Sequence, residues 1–392
     1  MKFVMYGAGN VGRGFIAPLF SQAGYDVGFI DINKEVINEL NRRREYEYCI
    51  ASGEPRRITV RSVSGIDGSD EKSVAEAVSS CDIMAVSLGA AALERVAPLI
   101  AKGLLKRWAY KREPLNILIC ENLKDSAALL SGWISAALPP QDRPGLSGKC
   151  GFVEAAIGRM IPVAIPVEGD PLLLSVEEYG FLPVDKDAFI GDIPNVPGLV
   201  AHSPFAFYEE RKLYLHNMGH AVCAYLGLTR GHKFIWQSIA DPVIRLATMC
   251  AMTESAATLS ARYQTPFHQV FDHAEDLLLR FTNKLLGDTC ERVGRDPMRK
   301  LAAGDRLAGP LSICGTMGIH PVYIAVGFAA ALVTSASCAE EARRIVASHS
   351  GLTENQSELV LMFFELFKRC EPLEVILQEA ERQKGKLRGA IV

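Results

Sequence analysis

Six residues near the start of the chain, Gly7-Ala8-Gly9-Asn10-Val11-Gly12, narrow its possible folds more than any other segment. They follow the apolar run Phe3–Tyr6 and lead into Val11–Ala23, where apolar residues recur at helical spacing. A strand that ends in G-x-G-x-x-G and opens a helix is the dinucleotide-binding arrangement. Gly7 permits the tight turn. Gly9 has no side chain to obstruct a pyrophosphate. Asn10 and Val11 open the helix whose N-terminal amides face the anion, and Gly12 lets helix and strand pack closely. Asp31 ends the second predicted strand, about 20 residues on, where an acid accepts hydrogen bonds from the ribose hydroxyls. Its charge would repel a 2′-phosphate, which favours NAD over NADP. Ser87-Leu88-Gly89-Ala90 closes the fourth predicted strand. Ser87 and Gly89 there either line the nicotinamide side of the crevice or make an ordinary strand–helix turn.

The first half alternates strand-like and helix-like segments. Strands are predicted at Phe3–Tyr6, Asp26–Ile30, Arg57–Val63, Asp82–Leu88 and Asn116–Cys120, with helices between them. This order implies a mostly parallel sheet with crossover helices, an α/β Rossmann domain. A Pro- and Gly-rich stretch follows from Pro139 to Pro204, including Pro162 and Pro166. It holds Gly151–Glu154 and Leu172–Glu178, which read as late strands of the sheet. Beyond Pro204 the apolar pattern is helical. The expected division is an NAD-binding domain over residues 1–200 and a mostly α-helical substrate domain over 201–392.

Composition removes several function classes. Of 392 residues, 49% are hydrophobic and the net charge is -3, so neither disorder nor a general nucleic-acid partner is expected. The longest apolar run, Val322–Val333, is short of the roughly 20 residues a membrane span needs and reads as a buried core helix. The chain opens directly into strand-like sequence, which predicts a protein without a leader. Ten scattered cysteines without a C-x-x-C pair predict reduced, mostly buried thiols and a cytoplasmic location.

The second constellation is Lys212-Leu213-Tyr214-Leu215-His216-Asn217-Met218-Gly219-His220. At about 100° per residue, Lys212, Asn217 and His220 share an arc of about 140° on an otherwise apolar helix, and Glu209 falls within it. Hydride transfer from an alcohol needs a base for the hydroxyl proton and a donor for the developing oxyanion. A desolvated lysine can serve as the base, an asparagine amide as the donor, and a histidine as a second donor that fixes the substrate. The same arc also describes a plain half-exposed helix. His216 and His220 have the i, i+4 spacing of helix-borne metal ligands, but no third ligand is evident, and no metal is expected.

Together the Gly12-Arg13-Gly14-Phe15 extension and the K-x4-N-x2-H pattern resemble the polyol-specific long-chain dehydrogenases. Cys120-Glu121-Asn122-Leu123, Leu93-Glu94-Arg95-Val96-Ala97-Pro98, Tyr225-Leu226-Gly227 and the long segment from Glu291 to Leu307 extend the resemblance over nearly the whole chain. It is strongest to the members that act on a sugar-alcohol phosphate, interconverting mannitol 1-phosphate and fructose 6-phosphate. The resemblance implies a Rossmann domain followed by a helical domain, with the active site between them, and NAD-dependent, metal-independent oxidation of a hydroxyl. It assigns Lys212 as general base, Asn217 and Asn122 as oxyanion donors, and His220 as a substrate ligand. Two positions depart from the family pattern. Gly158, in Ala156-Ile157-Gly158-Arg159, stands where an aspartate that binds a substrate hydroxyl is common, and Lys284 follows Asn283 where proline is usual.

A phosphorylated substrate needs cations. Arg292, Arg295, Arg299, Lys300 and Arg306 form a basic group in the helical half, with Arg295, Arg299 and Lys300 as the expected phosphate ligands. The same residues would also suit an ion-paired helix face. Three functions follow: the hexitol-phosphate dehydrogenase; a related enzyme of another phosphorylated hexitol, a free polyol or a hexuronate, which Gly158 motivates; and a nucleotide-binding regulatory protein without turnover.

Overall fold

The computed structural model describes residues 1–51, 56–123, 125–161 and 170–389. The prolines noted at 162 and 166 lie outside them. The chain divides into two compact units, Met1–Ala206 and Phe207–Val392.

The first unit is built on six parallel strands: β1 (Lys2–Tyr6), β2 (Asp26–Asp31), β3 (Val63–Asp67), β4 (Ile83–Val86), β5 (Leu115–Ile119) and β6 (Cys150–Glu154). Their order is β3-β2-β1-β4-β5-β6. Side chains alternate along each strand, and both faces are buried. Phe3 and Met5 of β1 join Phe15, Ile16 and Phe20 of the first helix on one side. Val4 and Tyr6 join Leu93, Ala97 and Ile100 of helix Ala90–Ala109 on the other. Such strands carry nearly continuous apolar runs, which is how they read in the sequence. The strand order reverses between β1 and β4, and loops leaving the carboxyl ends there line the ligand crevice of such sheets.

Two predicted strands require correction. Arg57–Val63 is not one strand. Ser62 takes a left-handed backbone (φ 57) that divides it. Arg56–Arg61 then pairs antiparallel with Glu45–Ile50, while Val63 onward becomes β3. Leu174–Val176 does not extend the main sheet but pairs parallel with Glu45–Ile50, completing a separate three-stranded sheet.

The second unit is helical. Its centre is helix Val322–Val333, in which every residue from Val322 to Leu332 is buried, as expected for a core helix. No helix among the described residues is long and apolar enough to cross a membrane. The carboxylate of buried Glu254 caps this helix, accepting the Tyr323 and Ile324 amides at 3.0 Å. Burial outweighs these bonds and raises the Glu254 pKa to about 8. An acid held above its unfolded value, about 4.3, binds its proton more tightly when folded. Its stabilising contribution is therefore full below that value and is lost as pH climbs to about 8. Thermal unfolding of the wild type should fall in temperature across this range, and Glu254→Gln should flatten the slope; an unchanged slope would contradict the assignment. Six of the ten cysteines are buried, whereas Cys338 and Cys370 are exposed.

Candidate active site

The glycine turn sits at the carboxyl end of β1, at the reversal point. Each glycine has its own steric reason. Gly7 has φ 111, and a Cβ there would lie 2.2 Å from the Ser87 carbonyl oxygen. A Cβ on Gly12 would lie 2.1 Å from the Gly7 carbonyl oxygen. A Cβ on Gly9 would meet nothing within 4 Å. Protein packing thus explains Gly7 and Gly12, while Gly9 faces open space, the room a dinucleotide pyrophosphate requires. Asn10 and Val11 begin the helix over 10–22, as expected, and both are partly accessible.

The turn is braced through both backbone polar groups of one residue, Ala8. The Ala8 N–H donates to Asp31 Oδ2 at 2.7 Å, and the Ala8 carbonyl accepts from Arg13 Nε at 2.6 Å. Arg13 is buried, and its Nη1 donates to the Pro171 and Leu172 carbonyls at 3.1 and 2.7 Å. Asp31 therefore has a structural duty that the sequence did not reveal. A dinucleotide fits these residues: an unobstructed glycine, a helix N-terminus, and a carboxylate at the end of the second strand.

Ser87 and Gly89 lie across the reversal point. Ser87 donates its N–H to the Tyr6 carbonyl at 2.9 Å, and Gly89 takes φ 84. The loop's Leu88 and Gly89 amides are held by Glu121, next to exposed Asn122 at the end of β5. Glu121 entered the sequence reading only as part of a motif.

In the second unit, Lys212, Asn217 and His220 lie on one continuous helix over 206–229. All three stay partly accessible, whereas Leu215, His216, Met218, Gly219 and Ala221 to Gly227 are buried. The regular α-helical angles used for the sequence do not apply throughout. Arg211–Asn217 is a π-helical segment. Hydrogen bonds to the fifth residue widen the turn, so Lys212 and Asn217, five apart, come closer to a common line than an α-helix would allow. Partners explain the buried face: Gly219 admits Met252, whose Sδ would be 2.6 Å from an added Cβ, and Ser255 Oγ donates to the Tyr214 carbonyl at 2.6 Å.

His220 stacks on Phe281, with ring centroids 4.9 Å apart. Its Nε2 lies 3.1 Å from Asp288 Oδ2, at ion-pair distance but too oblique for a well-formed hydrogen bond. Asp288 is also gripped by Arg292, with Nη2 at 2.6 Å. Burial alone would raise the Asp288 pKa, but His220 and Arg292 outweigh it and hold it low. Sequence reasoning missed Asp288. His216 is fully buried, and desolvation, then the charges of Arg280, His220, His273 and Lys212, push its pKa well down. It is a neutral core residue. Its ring centroid is 6.4 Å from that of His220, and no group of three metal-ligating side chains occurs among the described residues.

The basic group is less open than its sequence suggests. Arg292 belongs to Asp288. Arg299 pairs with Asp296 at 2.9 Å and Asp305 at 3.6 Å, and Arg306 pairs with Asp305 at 2.8 Å. Arg295 is exposed. Lys300 is buried, and desolvation, then Arg306 and Arg299, lower its pKa to about 8. Gly158 has the Tyr179 ring against it: an added Cβ would lie 3.0 Å from the ring and its hydroxyl.

A family model described as the mannitol dehydrogenase Rossmann domain matches residues 1–198, and one described as the mannitol dehydrogenase C-terminal domain matches residues 205–360. Among solved structures, the fold is similar to D-sorbitol dehydrogenase in its substrate-free form, with a TM-score of 0.76 at 14% identity, covering 94% of this chain and 93% of that one. It is similar also to the Pseudomonas fluorescens mannitol 2-dehydrogenase ternary complex with NAD and D-mannitol, with a TM-score of 0.73 at 13% identity, covering 97% and 94%. At these identities the likeness is one of fold.

Proposed function

The chain belongs to the mannitol dehydrogenase family, and from that premise we propose that it is an NAD-dependent polyol dehydrogenase interconverting mannitol 1-phosphate and fructose 6-phosphate. The observation that carries this reading is that Lys212, Asn217 and His220 are all partly accessible on one helix, interleaved with the buried Leu215, His216, Met218, Gly219 and Ala221. Bound NAD supplies the hydride acceptor. Gly7, Gly9, Asn10, Val11 and Gly12 would hold its pyrophosphate and Asp31 its ribose, and Ser87 and Gly89 would border the nicotinamide. Lys212 takes the hydroxyl proton as the carbon gives up its hydride, and returns it in the reverse direction. Asn217 and Asn122 donate to the oxygen while it carries negative charge. His220, stacked on Phe281 with its Nε2 near Asp288, fixes the substrate. Arg295, Arg299 and Lys300 hold the phosphate. An anion beside Lys300 would restore the charged ammonium that burial disfavours. Cysteines that are scattered in sequence and mostly buried suit a cytoplasmic enzyme.

Gly158 favours a second reading. With the Tyr179 phenol occupying the space a longer side chain would need, position 158 itself supplies no carboxylate for a substrate hydroxyl. Another hexitol phosphate, a free polyol or a hexuronate would then be the substrate. A panel of ketoses with NADH separates the readings. Fructose 6-phosphate should react far faster than fructose. Equal rates would end the phosphate-site proposal, and no reaction with any ketose would leave a nucleotide-binding protein without turnover.

Two substitutions probe the site. Asp31→Asn keeps an acceptor for the Ala8 amide but removes the charge. It should weaken the preference for NADH over NADPH without unfolding the turn, read as the ratio of the two dissociation constants. An unchanged ratio would remove Asp31 from cofactor selection. Asp288→Asn should raise KM for the ketose about tenfold, the scale of one lost charge-assisted contact, with NADH affinity unchanged. A wild-type KM would make Asp288 a structural residue only.

A further inference from the structure

Glu121 has no part in the chemistry above, yet it is placed where two strand ends meet. Its half-buried carboxylate, beyond the end of β5, accepts the Leu88 N–H at 2.6 Å and the Gly89 N–H at 3.0 and 3.1 Å. These amides belong to the N-cap residue, Gly89, and to the residue before it, at the entrance to helix Ala90–Ala109. The approach to the helix is therefore held from beyond the end of the neighbouring strand. The other end of the loop is fixed as well: Ser87 is bonded to β1 through the Tyr6 carbonyl at 2.9 Å, and its own carbonyl fills the space beside Gly7. Glu121 also immediately precedes Asn122.

We infer that Glu121 is a positioning residue for the oxidoreductase reaction: its carboxylate locks the Ser87–Gly89 loop against the glycine turn and fixes the backbone that carries Asn122. This rests on the reading of the glycine turn as the NAD site. A serine or aspartate at the N-cap would bind the first-turn amides and leave those of Leu88 and Gly89 unheld. A glutamate reaching over from β5 couples the cofactor loop to the Asn122 segment, and neither can shift without breaking the same set of bonds. Burial pushes the Glu121 pKa up against the pull of the two amides, so this carboxylate is held at a cost that an exposed one would avoid.

The test uses the full-length protein with Glu121→Ala and Glu121→Gln. Glu121→Ala should speed hydrogen exchange at the Leu88 and Gly89 amides, weaken NADH binding several-fold by fluorescence titration, and lower kcat about tenfold to a hundredfold, as displaced reacting groups do. Glu121→Gln retains one acceptor oxygen and should fall between Ala and wild type, with KM for the ketose unchanged. It carries the test if the alanine variant does not fold. Loss of a structural brace and nothing more would lower the unfolding temperature while leaving NADH affinity and kcat at wild-type values, and that result overturns the inference. A wild type that fails to bind NADH defeats the functional reading itself. A wild type that binds it, with both variants equal to wild type, defeats only the role of Glu121.

Discussion

Lys212→Ala should lower turnover at least about a hundredfold, the lower range for loss of a general base, while NADH binds with wild-type affinity. The two halves of this expectation come from different parts of the chain. The glycine turn and Asp31 belong to the first unit, so removing an amine from the second leaves the cofactor contacts intact. Of the other groups in the proposed set, Asn217 and Asn122 are amides that cannot take the hydroxyl proton, and His220, whose Nε2 faces Asp288 at 3.1 Å, is assigned to hold the substrate. Lys212→Arg sharpens the test. Arginine keeps the positive charge but is never deprotonated under working conditions, so it cannot accept the proton. It should be nearly as slow as alanine. Wild-type turnover in the alanine variant would remove Lys212 from the mechanism, and a fully active arginine variant would leave it only an electrostatic role.

The second large effect separates two glycines that look equivalent in the motif. A methyl group on Gly9 meets no protein atom within 4 Å, so Gly9→Ala should fold and unfold like wild type. It would nonetheless occupy the space the pyrophosphate needs, and NADH affinity should fall at least about tenfold. A methyl group on Gly12 meets the Gly7 carbonyl at 2.1 Å. Gly12→Ala should therefore lose about 1–3 kcal/mol of stability or more through overpacking, and lose NADH binding with it. Calorimetry and fluorescence titration on the pair resolve the two contributions. Gly9→Ala binding NADH as tightly as wild type would place the pyrophosphate elsewhere.

The glycine turn was legible because its constraints are local: a strand, three glycines and a helix within a few residues of one another. The buried helix Val322–Val333 was legible for the same reason, its whole surface being apolar. Pairings distant in sequence were not. Nothing in Leu174–Val176 says that its partner is Glu45–Ile50, and the left-handed Ser62 that divides a predicted strand is not a residue that advertises a bend. Lys212, Asn217 and His220 were picked out correctly as neighbours on a helix, but the widening over Arg211–Asn217 depends on packing and has no sequence signature. Asp288 and Glu121 escaped because each acts on a residue far along the chain. The pairing of Arg299 was within reach: Asp296 stands three residues before it and Asp305 six after, close enough to have shown that this arginine is already engaged.

Deuterium transfer tests the central claim most directly. The enzyme is given NADH deuterated at nicotinamide C4 on the transferred face, together with fructose 6-phosphate, and the product is analysed by mass spectrometry and NMR. The account predicts mannitol 1-phosphate carrying one deuterium on the carbinol carbon formed from the ketone, at a rate that collapses in Lys212→Ala. NADH left unoxidised, or a reduced product without deuterium at that carbon, would contradict it.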